Sequence, residues 1–438
     1  MQLVKTSFVG IFLLFLMSCL GPVKELQYQI EDSLEDTTLN IDNPSPLKEI
    51  SNSIELNILS NFSIDGDLPL NLKPTILNDD KFILVASSDG LVYLLGQNDL
   101  AIKMKYQHEL NIIAGLAYQG GKIFFVDSKG YLCAISNNGL LEWKVFVGEV
   151  YSPPKITEKL VIVRTTNNKF VASSLIDGSE IWKYQAISPQ LNIRSWGQIN
   201  SDDSALFAGI NSGKIIAINL DDGSLIWERT FSPPSGSSEI EKANDVTSEP
   251  IVGNSIIYTI SSKGKIAAIS KTEGVILWDR SLSSFDGLLD NENNLFVTHN
   301  SGSVYSLSKE TGKVLWRNAD LLGRDVKRGA IFKDKIMVTD YEGYIHFINI
   351  NTGNIEVREK FSDNQISTII PINNSSIFYV FYRNGDIFKI NVGDENISNN
   401  IQSPVKKYQD FDDIDFEESD KKNINEEETL LDNLIFWD

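Results

Sequence analysis

Pairs of glycines nine or ten residues apart, most of them followed by a tryptophan, recur along this chain and leave few folds open to it. The first glycine of each pair falls at Gly90, Gly130, Gly213, Gly264, Gly302, Gly343 and Gly385, with Asn168 in the third unit. The second falls at Gly139, Gly178, Gly223, Gly274, Gly312 and Gly353, with Asp99 opening the series. Four residues later stand Trp143, Trp182, Trp227, Trp278 and Trp316, replaced by Lys103 at one end and Val357 at the other. So strict an interval inside a unit of roughly 40 residues is the pattern of a β-propeller blade.

The segments between the glycines alternate or run apolar and are rich in Ile, Val, Tyr and Phe, as in IFFVDS, YLCAIS and IIAINL. Bounded by Asp-Gly, Asn-Gly, Lys-Gly or Thr-Gly, they read as antiparallel strands joined by hairpins, the last strand of each unit running to the tryptophan. Glycine supplies the positive φ of such turns, and asparagine is its commonest substitute. One hairpin cannot bury its apolar face, so neighbouring sheets must stack, with the tryptophan as the wedge between blades.

Ring closure is legible too. The last unit has strand-like segments at 369–372, 376–383 and 386–391, then dissolves into an Asn-rich stretch without a tryptophan strand. An unpaired segment, IELNILSNFSI at 54–64, precedes the first full unit. Placing it as the outer strand of the last blade removes an open sheet edge. The expectation is an all-β, eight-bladed β-propeller of four-stranded antiparallel blades over 54–400, its last blade closed by the N-terminal strand.

The flanks have other chemistry. Lys5 and the apolar run VGIFLLFLM form an export signal too short to span a bilayer. Leu16-Met17-Ser18-Cys19 resembles the bacterial lipobox, which implies cleavage after residue 18 and acylation of Cys19. Several acyl chains anchor stably where one does not. Leu20 follows the cysteine in place of the aspartate of the inner-membrane retention rule, so the expected location is the periplasmic face of the outer membrane. Residues 19–53, with their Asp, Asn, Ser and Pro, read as a lipidated flexible tether. Residues 401–438 read as an acidic, mostly disordered tail that ends on an apolar cluster around Leu430, Leu431 and Leu434 to Trp437.

A net charge of −20 argues against nucleic acid as a partner. Once Cys19 is lipidated, Cys133 has no partner for a disulfide and reads as a small core residue. His108, His299 and His346 fall in different blades with no cysteine or carboxylate at ligand spacing, so neither a metal site nor a catalytic set is expected. The Thr/Asp-Gly-x-x-x-Trp ending resembles the repeat of pyrroloquinoline-quinone-dependent alcohol dehydrogenases. The adjacent cysteine pair of those enzymes is missing, so that resemblance implies the fold and no cofactor.

A lipobox followed by eight such blades resembles the BamB family, the lipoproteins of the outer-membrane β-barrel assembly machinery. Two connections sharpen the likeness. After Trp182 comes Ser188-Pro-Gln-Leu-Asn-Ile-Arg-Ser, where Leu191, Ile193 and Arg194 match the family's Leu-x-Leu-Arg-Gly segment, with Ser195 in place of its glycine. Before the fifth blade comes Asp245-Val-Thr-Ser-Glu-Pro, where Asp245 keeps the first acid of an Asp-Val-Asp-x-x-Pro pattern and Thr247 replaces the second. The resemblance implies that these loops bind the periplasmic domains of BamA, that the protein is a scaffold without enzymatic activity, and that it guides unfolded outer-membrane strands by addition at a blade edge. Exposed aliphatics beside an arginine are an interface pattern in their own right, and pairing of Arg194 with Asp245 would merge the loops into one site. The alternative is a periplasmic quinoprotein-like enzyme or a ligand-binding propeller.

Overall fold

The apolar runs between the glycines are strands, and in the computed structural model of the chain they pair into eight four-stranded antiparallel sheets. The structure describes residues 44–69, 71–77, 81–187, 197–235 and 244–395. Seven blades are continuous in sequence, at 75–107, 112–146, 155–185, 199–230, 251–281, 288–318 and 327–359. The eighth joins the two ends of the ring. There β30 (Ile366–Pro371), β31 (Ile377–Tyr382) and β32 (Asp386–Glu395) are completed by β1 (Ile54–Ser63), which pairs with β32 from Ile54 opposite Glu395 to Ser63 opposite Asp386. The closure is the one the unpaired N-terminal segment predicts.

The fourth blade shows why each sequence run takes its place. The first strands of neighbouring blades touch one another, so β14 (Ile199–Ser201) lines the centre of the ring. The next two, β15 (Ala205–Ile210) and β16 (Lys214–Asn219), are almost wholly buried because another sheet covers each of their faces. They therefore read as continuous apolar runs rather than as alternation. The outer strand β17 (Leu225–Thr230) is largely exposed. Its tryptophan lies mid-strand rather than at the strand end.

Both glycines have steric reasons. Gly213 has φ +63, and a Cβ there would lie 1.6 Å from the Ser232 carbonyl oxygen, on the connection leaving the same blade. Gly223 has φ +72, and its Cβ would lie 2.7 Å from Cε3 of Trp182 in the preceding blade. The first glycine thus seats the exit connection and the second seats a neighbour's indole. Asn168 holds the first position at φ +58, a conformation asparagine tolerates.

Residues 44–53, the described part of the expected tether, lie along the seventh blade. Leu47 and Ile50 pack on the apolar cluster between blades six and seven. Ser45 N–H donates to the Leu322 carbonyl at 2.9 Å, and Ser53 N–H to the Glu356 carbonyl at 3.1 Å. The Asn52 amide pairs with both backbone groups of Arg358, accepting from its N–H at 2.9 Å and donating to its carbonyl at 3.2 Å. The segment acts as a surrogate partner for the outer strand of blade seven. The signal peptide, Cys19 and the acidic tail lie outside the described residues.

Candidate functional site

Because strands alternate in direction, the first-glycine turns and the connections between blades emerge on one face of the ring, as the contact of Gly213 with Ser232 shows. The described ends of the connections that carry the candidate partner residues, 186–187 with 197–198 and 231–235 with 244–250, therefore share that face. Leu191, Ile193 and Arg194 lie outside the described residues. Asp245 is described and is only 2% exposed.

From Asn244 onward the second connection is pinned. Asn244 Nδ2 donates to the carbonyl and hydroxyl oxygens of Ser232, each at 2.8 Å, and its Oδ1 accepts from Lys263 N–H at 3.2 Å. Asp245 Oδ1 accepts from Ser212 N–H at 3.3 Å. Val246 is fully buried over Gly209, where a Cβ would lie 2.0 Å from its Cγ1. Thr247 donates its hydroxyl to the Phe285 carbonyl at 3.0 Å, so the residue replacing the family's second acid is tied to the next connection. Glu249 faces the centre of the ring instead. With the Gln198 amide turned to satisfy both neighbours, its nitrogen donates to Glu249 Oε2 at 3.0 Å and its oxygen accepts from Lys73 Nζ at 2.6 Å. Burial pushes Lys73 down to about 8, opposed by the charges of Glu249 and Asp286.

A polar floor joins the roots of the two connections, and sequence reasoning missed it. Arg164, at the end of β11 (Leu160–Arg164), donates from Nε and Nη2 to Asn168 Oδ1 at 3.0 and 2.6 Å, and from Nη1 to the Gly197 carbonyl at 3.2 Å. Asn168 in turn donates to Asn211. Burial lowers Arg164 to about 10, and the nearby charge of Asp245 works against that shift. Asp245 thus faces the arginine that holds the return of the first connection. The only signal in the sequence was Asn168 in a glycine position.

Two other clusters surround buried carboxylates at first-glycine turns. Asp127, the end of β7 (Lys122–Asp127), accepts from the N–H groups of Lys129 and Tyr131 at 2.9 and 3.0 Å and approaches His108 Nε2 at 3.4 Å. Cys133 is also buried there, and the ligating atoms of the three side chains all lie within 4.8 Å of one another. The spacing argument against a metal set did not anticipate this meeting of two blades. The donor types suit a soft divalent ion, but burial pushes the Cys133 thiol up to about 12, and Tyr106 takes the other histidine nitrogen at 3.2 Å. The same turn aspartate recurs as Asp340, bonded to His346 Nε2 at 3.1 Å and Arg324 Nε at 2.9 Å without any thiol. The arrangement is first of all turn chemistry.

The Asp340 cluster also reaches the N-terminal segment. Arg324 Nη1 donates to the Ser45 carbonyl at 3.3 Å. Arg358 donates from Nε to His346 Nδ1 at 3.2 Å and from Nη1 to the Lys48 carbonyl at 2.6 Å. Ser45 sits beside the connection between blades six and seven, so the chain comes in from its N-terminus on the face that carries the candidate partner loops.

Eight four-stranded antiparallel blades closed into a ring by the N-terminal strand define an eight-bladed β-propeller. The family model that matches it, described as "Outer membrane protein assembly factor BamB", covers residues 89–318 and 300–398, and the chain belongs to that family. A relative of that name in Shewanella oneidensis is 29% identical over 246 residues, 56% of this chain and 62% of its own length. One in Moranella endobia is 26% identical over 79% of this chain and 92% of its own. The crystal structure of BamB from Moraxella catarrhalis superimposes with a TM-score of 0.70 at 24% identity, covering 77% of this chain and all of that one, which establishes the shared fold.

Proposed function

We propose that this chain is a non-enzymatic scaffold of the outer-membrane β-barrel assembly machinery, held by lipid at Cys19 on the periplasmic face of the outer membrane. It binds the periplasmic domains of BamA through the connection carrying Leu191, Ile193 and Arg194 and the connection beginning at Asp245. The observation that carries the reading is the shared polar floor: Arg164 grips the return of the first connection at Gly197 while facing Asp245 at the root of the second. A buried Asp245 fixes the loop rather than touching the partner, and the contact falls to the exposed residues around it.

Family membership and relatives named as assembly factors favour this over a quinoprotein-like enzyme. The test is twofold. Cys19→Ser should move a folded protein from the membrane to the soluble fraction, and replacing Leu191 and Ile193 with alanine should cut BamA recovery at unchanged thermal stability. Membrane retention of the serine variant in high salt overturns the anchor; full BamA recovery by a folded double variant overturns the site.

A further inference from the structure

The four most exposed large apolar side chains among the described residues all fall between 140 and 187. Ile187 is 88% exposed, Ile176 81%, and Leu140 and Phe146 67% each. Outer strands of other blades show apolar side chains too, such as Ile102, Leu225 and Leu277, but these are about half covered. The exposed set belongs to blades two and three, on or beside β9 (Leu141–Phe146) and β13 (Glu180–Gln185). The two blades meet where Trp143 packs on Gly178 and where Lys122 Nζ pairs with Glu142 at 2.7 Å and donates to the Ile176 carbonyl at 3.2 Å. Leu140, Leu141 and Ile176 therefore neighbour one another across that seam. Exposed apolar side chains gathered along a seam between two blades mark a docking site.

Charge is compatible with the same region. Residues 81–187 carry eleven Lys and Arg against nine Asp and Glu, in a chain whose net charge is −20. Residues 405–438 are the opposite, with twelve acids against four lysines, and they end on Leu430, Leu431, Leu434, Ile435, Phe436 and Trp437. The described chain stops at Glu395, in the blade next to blade one. A coil of the 34 residues from there to Leu430 spans about 30 Å on average. Packed sheets lie about 10 Å apart, so blade two or three is within its reach.

We propose that the C-terminal segment 430–437 of this same chain docks on the exposed outer side of blades two and three. Its aliphatic and aromatic side chains cover Leu140, Leu141, Phe146 and Ile176, and the acids before it lie over the lysines of that side. Such docking accounts for the apolar cluster at the end of an acidic tail, and the exposed Leu140, Phe146 and Ile176 set these blades apart from the others.

Hydrogen exchange on the full-length chain tests this. Replacing Phe436 and Trp437 with serine should speed exchange in β9 and at 175–178 at least tenfold while the buried strands are unchanged. A synthetic peptide of residues 425–438 added to that variant should restore the protection, and should fail to do so when Phe146→Ser and Ile176→Ser are also present. Exchange in β9 indifferent to the tail substitutions overturns the proposal. So does protection that rises with protein concentration, which means a second copy, or protection seen only in isolated membranes, which means another partner.

Discussion

Trp182 of the third blade lies flat against Gly223 of the fourth, and its indole N–H donates to the Leu220 carbonyl at 2.7 Å. The same pair recurs as Trp227 with Gly274, Trp278 with Gly312 and Trp316 with Gly353, each indole donating to a carbonyl three residues before the glycine, at 2.8–3.0 Å. The repeat is therefore a bond between blades, written half in one unit and half in the next.

Trp182→Ala should cost about 3–5 kcal/mol, because it empties a buried interblade contact. Gly223→Val should cost about 1–3 kcal/mol from the strained φ alone, and more as its side chain drives into the indole. The two together should cost less than their sum, since both break one contact. Denaturant unfolding of the single and double variants checks this; strict additivity would mean that the residues do not cooperate.

Trp143 departs from the pattern. It packs on Gly178, but its indole N–H lacks an acceptor, and the carbonyl in the equivalent place, Leu175, accepts from Lys122 at 3.3 Å. Lys122→Ala should free that carbonyl for the indole, and the seam should lose less than about 1 kcal/mol. A loss comparable to that of Trp182→Ala would contradict the exchange.

The hold of blade seven on residues 44–53 should depend on pH. Arg358 can donate to His346 Nδ1 only while that nitrogen is unprotonated, so the docked form needs neutral histidine. Burial lowers His346 below its ordinary 6.5, Asp340 opposes the shift, and Arg358 and Arg324 add to it. Unfolded chain therefore takes up the proton first, so the folded form that docks this segment is at full strength above pH 6.5 and weakens as pH falls below it. Hydrogen-exchange protection at 45–53, corrected for the intrinsic rate at each pH, should fall from pH 7.5 to 5 in the native chain. It should stay flat in His346→Gln, whose neutral amide can both donate to Asp340 and accept from Arg358. Equal pH dependence in the two would place the switch elsewhere.

Cys133 should be inert. With its thiol pushed up to about 12 by burial, the nucleophilic thiolate is scarce at neutral pH. In the Cys19→Ser protein, a thiol reagent should react only on unfolding; prompt reaction of the folded form would contradict the burial.

The ring, its closure and the tryptophan wedge were readable in the sequence because each depends on local turn chemistry repeated at a fixed interval. Asn168 could be placed in its turn but not linked to Arg164, since that bond depends on how blade three sits against blade four. The meeting of His108 with Asp127 and Cys133 was hidden for the same reason: the histidine comes from one blade and its partners from the next. The docking of 44–53 was missed because its composition reads as tether, while what holds it is the backbone and guanidinium of Arg358 and the buried Arg324.

Asp245→Ala should lower stability by about 1–3 kcal/mol, because it removes a buried acceptor of the Ser212 N–H and the charge facing Arg164. With Arg194 serving the partner rather than the fold, as proposed, Arg194→Glu should leave stability within about 0.5 kcal/mol. Comparing thermal midpoints of the two separates a residue that holds the loop from one that meets the partner.

The most direct measurement is affinity capture of the tagged full-length chain from detergent-solubilised outer membranes, with BamA quantified in the eluate. The native chain should recover BamA, and a folded Arg194→Glu variant should recover at least tenfold less. Equal recovery by the two would contradict the proposed interface, and no BamA with the native chain would contradict the scaffold role itself.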